Sequence, residues 1–206
     1  MSDKLITPNC TLPEFWDSKY NNNEDQWDIG GPTPIIVNWF KRIKSRKKII
    51  VPGCGNGHDA LYLAKMGHDV YAVDFSIKAI NSLKCTAKKN NLKITALHKD
   101  FFCLEEYYGY FDILVEYTFF CAILPEQRNQ YILESYNLLN KKGKFFGILL
   151  PINKKEKEGP PFSINLNDTI KAFKKKYKLI ECSKSKYSIK PRKDKEIFIL
   201  MSKLNV

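Results

Sequence analysis

The sequence predicts an α/β protein built on a doubly wound, mostly parallel sheet of about seven strands. Short apolar segments alternate with longer amphipathic ones along most of the chain, which is typical of βαβ units. A glycine-rich turn follows the first predicted strand, and an acid, Asp74, ends the second, as in nucleotide-binding sheets. The last two predicted strands are close in sequence, which indicates an antiparallel pair at the end of the sheet.

We expect a single domain over residues 1–206. The chain has 206 residues and a hydrophobic content of 44%, enough to bury one sizeable core. Residues 1–32 are aromatic and polar, lack strand alternation and are dense in turn formers, so we expect a partly irregular N-terminal lid there. The α/β core then spans residues 33–206.

Hydrophobic spacing and capping residues define the first half of the core. The apolar positions over residues 33–43 have helical spacing. Gly67 is the expected C-cap of a helix that begins near His58, and Ser76 is the expected N-cap of a helix that ends near Lys89. The strands expected in this half are residues 48–51, 70–74 and 94–98.

The second half of the core begins with a strand at residues 111–117. This segment is apolar enough to be buried on both faces, as a central parallel strand must be. The other expected elements are a helix at 125–139, a turn at 140–143, a strand at 144–150, a loop at 151–165, a helix at 168–175, and strands at 178–182 and 196–202.

The net charge of +12 raises the question of a nucleic-acid partner, because a basic surface attracts phosphates. The lysines, however, occur in every segment of the chain rather than in one patch. We interpret them as a compositional bias and expect no nucleic-acid partner. Attraction of small anionic substrates is compatible with the same charge.

The chain begins without a basic start followed by an apolar segment, and no run approaches the roughly 20 apolar residues that span a bilayer. The six cysteines form no CxxC pair, so we expect neither a metal site nor a disulfide framework. The sequence thus predicts a soluble, cytoplasmic protein without a membrane partner, which we expect to be a monomer.

The spacing of Gly53, Gly55 and Gly57 is GxGxG, not the GxGxxG of dinucleotide sites. Asn56 and His58 stand where that third glycine would open a helix for a pyrophosphate. This difference favours a nucleoside ligand without phosphates, and S-adenosylmethionine fits that description.

Four strand ends carry groups suited to such a ligand, and in a parallel sheet these ends converge. Gly53 follows the first strand, Asp74 ends the second, Asp100 and Phe101 follow the third, and Tyr117 ends the fourth after Glu116. Asp74 can accept hydrogen bonds from both hydroxyls of a ribose. Asp100 can accept one from an exocyclic amine, while Phe101 packs on a purine face.

Several longer motifs occur in a fixed order along the chain. They are W-x3-Y-x6-WDIG from Trp16, VPGCGNGHD from Val51, AVDFS from Ala72, DFF from Asp100, EYTFFCAILPEQR from Glu116 and GPPF from Gly159. With these motifs, residues 16–202 resemble the thiopurine methyltransferase family, and most closely its branch of thiol, thiocyanate and halide methyltransferases. The resemblance implies a class I methyltransferase fold and S-adenosylmethionine as cofactor.

The resemblance also implies site residues. It places Trp16, Tyr20 and Trp27 over the cofactor, Gly53 beside its methionine part, Asp74 at the ribose, Asp100 and Phe101 at the adenine, and Tyr117 at the methionine end or the transferred methyl group. Tyr117 is therefore the candidate catalytic residue. We assign no general base, since thiolates are good nucleophiles near neutral pH.

Three positions bear on the methyl acceptor. Glu116 stands where the family usually has Asp, Leu150 where we expect tyrosine in the halide and thiocyanate branch, and Phe162 where that branch tends to carry tyrosine. The missing phenols favour small thiols or hydrosulfide as acceptor. As a further hypothesis, Arg128 and Arg192 supply positive potential near the mouth of the site.

Other functions stay open at this point. The alternative acceptors are halide, thiocyanate, an aromatic thiol as in thiopurines, and a metalloid. A more distant alternative is a non-catalytic, basic nucleic-acid-binding module on the same fold. A nicotinamide oxidoreductase is disfavoured by the glycine spacing.

Overall fold

The computed structural model describes residues 10–151 and 159–205. The first nine residues of the expected lid and residues 152–158 of the expected loop lie outside the described residues. The helices are α1 Pro13–Asn21, α2 Pro34–Phe40, α3 His58–Lys65, α4 Ile77–Lys89, α5 Arg128–Leu138 and α6 Leu166–Phe173. The strands are β1 Lys48–Pro52, β2 Asp69–Asp74, β3 Thr95–His98, β4 Phe111–Tyr117, β5 Leu139–Leu149, β6 Tyr177–Ser183 and β7 Ile197–Lys203.

The seven strands form one sheet in the order β3-β2-β1-β4-β5-β7-β6. The first five are parallel, whereas β7 runs antiparallel to both β5 and β6. The predicted doubly wound sheet with an antiparallel end is confirmed. The winding reverses between β1 and β4, and ligands bind at such a switch point, outside the carboxyl ends of the strands.

Each face of the sheet carries its own apolar layer. On one face, Ile36 and Phe40 of α2 and Leu63 of α3 are fully buried. On the other, Tyr131 of α5 and Phe173 of α6 are fully buried. The sheet is thus held rigidly from both sides, so the positions of its strand ends are well defined.

The lid contains a helix where the sequence predicted partly irregular structure. Pro13 begins α1, with the acidic Glu14 in the first turn and the basic Lys19 in the last, as the helix dipole favours. No residue of α1 is buried. Its nine residues are too few for a sustained apolar period, which is the signal on which a sequence-based prediction depends.

The turn expected at residues 140–143 is part of β5, which begins directly after α5. The pairing of β4 with β5 shifts register between Phe111 and Ile113. The Asp112 carboxylate between them accepts hydrogen bonds from Asn140 Nδ2 and from the backbone N–H of Lys48, both at 2.8 Å. A side chain thus satisfies donors at the irregularity, and the strand continues through it.

Other boundaries shift by a few residues. The second helix ends at Phe40 instead of 43, and α6 begins at Leu166 because the Asn165 side chain caps it by accepting from the Asp168 N–H at 3.2 Å. None of the helices in the described ranges has the length and apolar character needed to cross a membrane.

Candidate active site

A cavity of about 740 Å³ lies at the carboxyl ends of β1, β2 and β4, where the winding of the sheet reverses. Its floor is the turn after β1, residues 53–59, together with the ends of β2 and β4. Residues of the lid form its cover. A cavity of this size is in the range of small-molecule and cofactor sites.

The glycine turn presents bare backbone to this cavity. Gly53 has φ +54° and Gly55 has φ +53°, values in the left-handed region that side chains other than glycine rarely adopt. A Cβ at Gly53 would overlap the ring of Phe119, and one at Gly55 would meet the Tyr20 hydroxyl at 3.0 Å. Glycine at these two positions therefore lets Phe119 and Tyr20 pack directly against the backbone of the turn, which also lines the cavity.

Asp74 lies under the turn with 8% of its surface exposed. Its Oδ2 accepts from the Gly55 N–H and its Oδ1 from the Ser76 N–H, each at 2.9 Å. Burial raises the pKa of the carboxyl group, partly offset by these two bonds. Each oxygen keeps a free lone pair, so the carboxylate can also accept bonds from two vicinal hydroxyls.

The end of β3 brings Asp100 and Phe101 to the same cavity. Asp100 is exposed, and its Oδ1 accepts from the Phe102 N–H at 3.0 Å. The ring of Phe101 packs against Phe119 and Tyr131, with centroids 5.5 and 5.0 Å apart. The edge of the cavity at β3 thus combines an acid with an aromatic wall.

Glu116 anchors the turn after β4 instead of facing the cavity. Its Oε1 accepts from the N–H groups of Phe119 at 3.0 Å and Phe120 at 2.8 Å, and its Oε2 from the Tyr131 hydroxyl at 2.5 Å. Burial raises the pKa of the carboxyl group to about 7, and these bonds partly oppose the rise. Within the turn, Thr118 has φ +67°, an unusual conformation for a β-branched residue.

Three aromatic rings of the lid pack on one another over the cavity. The centroid of Trp27 lies 5.4 Å from that of Trp16 and 5.6 Å from that of Tyr20, both edge to face. Trp16 Nε1 donates to the carbonyl of Cys10 at 2.8 Å. Burial and the nearby charge of Asp74 raise the pKa of Tyr20, which keeps this phenol neutral.

Hydrogen bonds to two acids fasten the lid to the core. Asp28 Oδ2 accepts from Asn56 Nδ2 at 2.6 Å, and Asp28 Oδ1 lies 3.0 Å from His58 Nε2. Asp17 Oδ1 accepts from the Ser76 hydroxyl at 2.5 Å. Sequence reasoning gave none of these residues a lid-fastening role, although Asp28 and the Asn56–His58 pair stood inside the quoted motifs.

Arg192 connects the acceptor end of the cavity to the lid. Its guanidinium donates to the Tyr117 hydroxyl and, at 2.5 Å, to the carbonyl of Trp27. It also lies over the Tyr117 ring, 5.0 Å from the centroid. Burial raises the pKa of Tyr117, and the positive charge of Arg192 lowers it in part.

The other two cations of the cavity wall have acidic partners. Lys19 Nζ lies 2.6 Å from Glu24 Oε2, and Lys99 pairs with Glu106. No ion pair joins Arg192 to a carboxylate within the residues that the structure describes. Its charge is therefore the one best placed to attract an anion to Tyr117.

The structure brings together the residues that sequence reasoning selected for the cofactor. The cavity is lined by Trp16, Tyr20, Trp27, Gly53, Asp74, Asp100, Phe101, Tyr117 and Arg192, but not by Arg128 or Phe162. Arg128 donates to the carbonyls of Ser163 at 3.0 Å and Phe162 at 3.2 Å. The Phe162 N–H donates to the carbonyl of Cys121 at 2.7 Å. Both residues stand behind the wall and hold its segments together.

The residues present fit S-adenosylmethionine. A bare glycine backbone, a buried acid with free lone pairs and an aromatic cover suit the methionine, ribose and sulfonium parts of that molecule, and aromatic faces attract a sulfonium by cation–π interaction. Within the ranges 10–151 and 159–205, no cluster of three metal-ligating side chains occurs.

A family model for thiopurine S-methyltransferases matches residues 11–205. The chain is 29% identical to a probable thiol methyltransferase 2 of Arabidopsis thaliana over 156 residues, which are 74% of this chain and 68% of that protein. It is 28% identical to thiocyanate methyltransferase 1 of Brassica oleracea over 196 residues, 92% of this chain and 85% of that one.

The fold also matches solved methyltransferase structures. One is the 1,6-didemethyltoxoflavin-N1-methyltransferase of Burkholderia thailandensis, solved with S-adenosylhomocysteine. It superposes with a TM-score of 0.76 at 15% identity and covers 100% of this chain and 94% of that one. At this identity the likeness shows the fold alone.

Proposed function

The chain belongs to the thiopurine S-methyltransferase family and is an S-adenosylmethionine-dependent methyltransferase, and from this premise we propose that its acceptors are small sulfur nucleophiles, namely thiols or hydrosulfide. The observation that carries the proposal is the composition of one cavity. The cavity that contains the glycine turn is also lined by Arg192, which forms no ion pair with a carboxylate of the described residues, and by the apolar side chains of Ile123 and Leu150. Such a site suits a small, polarisable anion.

We assign the residues of the cavity to parts of the cofactor. Gly53 and its neighbours would lie along the methionine part, Asp74 would hold the ribose, and Asp100 with Phe101 would hold the adenine. Trp16, Tyr20 and Trp27 would cover it. When bound, S-adenosylmethionine supplies a methyl carbon already activated by its sulfonium leaving group.

The chain's own contribution is positioning and exclusion of water. Arg192 draws an anionic nucleophile toward Tyr117, and its positive charge favours the thiolate over the thiol. Tyr117, held by Arg192, lines the path of the acceptor, while the apolar side chains around it leave the nucleophile poorly solvated. A thiolate needs no proton removed during transfer, so the proposal includes no general base.

Thiocyanate is the second candidate acceptor. It is an anion that the same guanidinium can attract, and two relatives that cover 92% of this chain carry the name thiocyanate methyltransferase. The leucine at position 150 argues for thiols, whereas Phe162 no longer bears on the choice because it does not line the cavity.

The test is a set of parallel reactions with S-adenosylmethionine and one acceptor each: hydrosulfide, methanethiol, thiocyanate, iodide or an aromatic thiol. Headspace methyl products and S-adenosylhomocysteine are measured for the natural protein and for Tyr117→Phe, which removes the hydroxyl that Arg192 holds. We expect turnover of hydrosulfide and methanethiol, reduced in the variant. A preference for thiocyanate or iodide would refute the thiol assignment, and turnover of none of these would refute the acceptor class.

We further propose that the protein acts in the cytoplasm, as a monomer and without a nucleic-acid partner. The support for the cytoplasm is the scattered spacing of the cysteines, and the support for the absence of a nucleic-acid partner is the even spread of the lysines. Light scattering after size exclusion checks the mass. RNA binding that falls steeply with salt would contradict the third part.

A further inference from the structure

The loop between β6 and β7 places one arginine between the end of strand β4 and the lid. Residues Lys190–Arg192 form a short 3₁₀ turn in this loop. From there the Arg192 guanidinium reaches both the Tyr117 hydroxyl, at the end of β4, and the Trp27 carbonyl, in the lid. Opening of the lid would break the bond to Trp27 and leave the guanidinium free to pair with another group.

Glu196 offers such a partner. It lies four residues after Arg192, just before β7, and the chain between them is folded tightly by a bond from the Lys195 N–H to the Arg192 carbonyl at 3.0 Å. Only 2% of its surface is exposed. Its Oε2 is buried and has no hydrogen-bond partner within the described part of the chain.

A buried carboxylate oxygen without a partner is unfavourable, because it has lost water and gained nothing in exchange. Burial raises the pKa of Glu196, while a hydrogen bond from Ser188 and the charge of Arg192 oppose the rise. The positive charge of Arg192 thus acts on the carboxyl group of Glu196, although the two side chains form no ion pair within the described residues. Four residues apart on one tightly folded loop, the two side chains are candidates for pairing once the bond of Arg192 to the lid is broken.

We propose that Arg192 has two positions, one on Trp27 and Tyr117 with the lid closed and one on Glu196 with the lid open. Glu196 is then a positioning residue that acts through Arg192 on the binding and release of the cofactor. The inference rests on the proposed function only in that the lid covers the cofactor. It concerns the balance between two lid positions and not the identity of the acceptor.

The two residues then have opposite effects on cofactor affinity. Arg192→Met removes a charge-assisted bond to the lid and should weaken S-adenosylhomocysteine binding about tenfold. Glu196→Gln weakens the competing open position, so it should strengthen that binding about threefold and slow release by a similar factor. Arg192→Lys should restore only part of the affinity, since an ammonium lacks the planar fork that spans two acceptors.

The experiment measures the dissociation constant of S-adenosylhomocysteine by calorimetry and its release rate by stopped-flow tryptophan fluorescence, since Trp16 and Trp27 lie in the lid. Lys193→Met is the control, because it removes one exposed positive charge next to Arg192 without touching the site. It should leave both quantities unchanged. Thermal unfolding of each variant shows that it is folded.

A double variant separates the proposal from a structural role of Glu196. If Glu196 acts through Arg192, adding Glu196→Gln to Arg192→Met leaves affinity at the level of Arg192→Met. Binding weakened or unchanged by Glu196→Gln alone would overturn the proposal. Since no acceptor is present in these measurements, failure of the thiol assignment would appear only in the turnover reactions and not here.

Discussion

At the scale of single residues, Gly53 allows a prediction with a matched control. Gly53 and Gly109 both have positive φ, but only a Cβ at Gly53 meets other atoms, those of Phe119. Gly109→Ala should cost only the backbone strain, about 1 kcal/mol. Gly53→Ala should cost more, because Phe119 must move, and it should also weaken S-adenosylhomocysteine binding at least about tenfold. Urea unfolding and calorimetry check this, and equal effects of the two variants would contradict it.

Glu116 makes stability depend on pH. Its folded pKa of about 7 lies above its ordinary value of 4.5, so the folded state binds the proton more tightly than the unfolded state. Its contribution is complete below the unfolded pKa and is lost as the pH rises through the folded one. The free energy of unfolding should therefore fall by on the order of 2 kcal/mol between about pH 5 and about pH 8.

Glu116→Gln should remove most of that fall, because glutamine keeps an acceptor for the turn but does not titrate. Asp59, whose pKa burial raises to about 6, has the same sign and should leave a smaller slope in the variant. Urea unfolding at the two pH values measures both slopes. Identical slopes in the two proteins would show that the carboxyl group of Glu116 does not titrate in this range.

The sequence could predict that the residues at the strand ends line one cavity, because glycines and acids at the ends of buried parallel strands have few other uses. Arg128 and Phe162 could not be placed in the same way. Arg128 lies in a motif of the family, but its guanidinium bonds to backbone carbonyls 34 and 35 residues away in sequence. Such a long-range contact leaves no local pattern, so the motif was interpreted as substrate binding.

At the scale of elements, the lid helix α1 buries none of its own side chains, so its attachment depends on bonds to the core such as that between Asp17 and Ser76. Hydrogen bonds from Asn56 and the Gly30 N–H, with the charge of His58, lower the pKa of Asp28 despite its burial. Asp28→Asn should therefore loosen the lid, weaken S-adenosylhomocysteine binding about fivefold and speed proteolysis near residue 22.

The control for the lid is Glu14→Gln, which removes an exposed charge of α1 that has no part in the fastening. It should behave as the natural protein in both measurements. If the two variants are cleaved and bind alike, the bonds of Asp28 do not hold the lid.

Element types were predicted wherever an apolar period was sustained, as in β4 and α4. The boundary between α5 and β5 was not predicted correctly, because residues 140–143, an asparagine, two lysines and a glycine, have the composition of a turn. In the fold, Asp112 compensates for the irregular pairing of that segment. Tertiary contacts thus replaced a local preference.

At the scale of the whole molecule, the net charge of +12 should act on rates. A positively charged protein attracts anionic acceptors from a distance. At an ionic strength of 0.1 M, salt screens this attraction beyond about 10 Å. kcat/KM for hydrosulfide or thiocyanate should fall several-fold as sodium sulfate is added, a salt chosen because halides are candidate acceptors. The association rate of S-adenosylhomocysteine, which carries no net charge, should change little with the same salt, and equal falls of both quantities would contradict the steering.

Residues 162–163 are held by a clamp of three hydrogen bonds, two from Arg128 and one to the Cys121 carbonyl, and this clamp limits how the acceptor preference of the enzyme can evolve. Because the segment after strand β5 is tied to the turn after β4, the two walls of the acceptor end move as one body. Alterations at Arg128 or Phe162 must therefore disturb both walls together, whereas Leu150 lines the cavity without belonging to the clamp. New acceptor preferences can evolve at position 150 while the rest of the site keeps its shape.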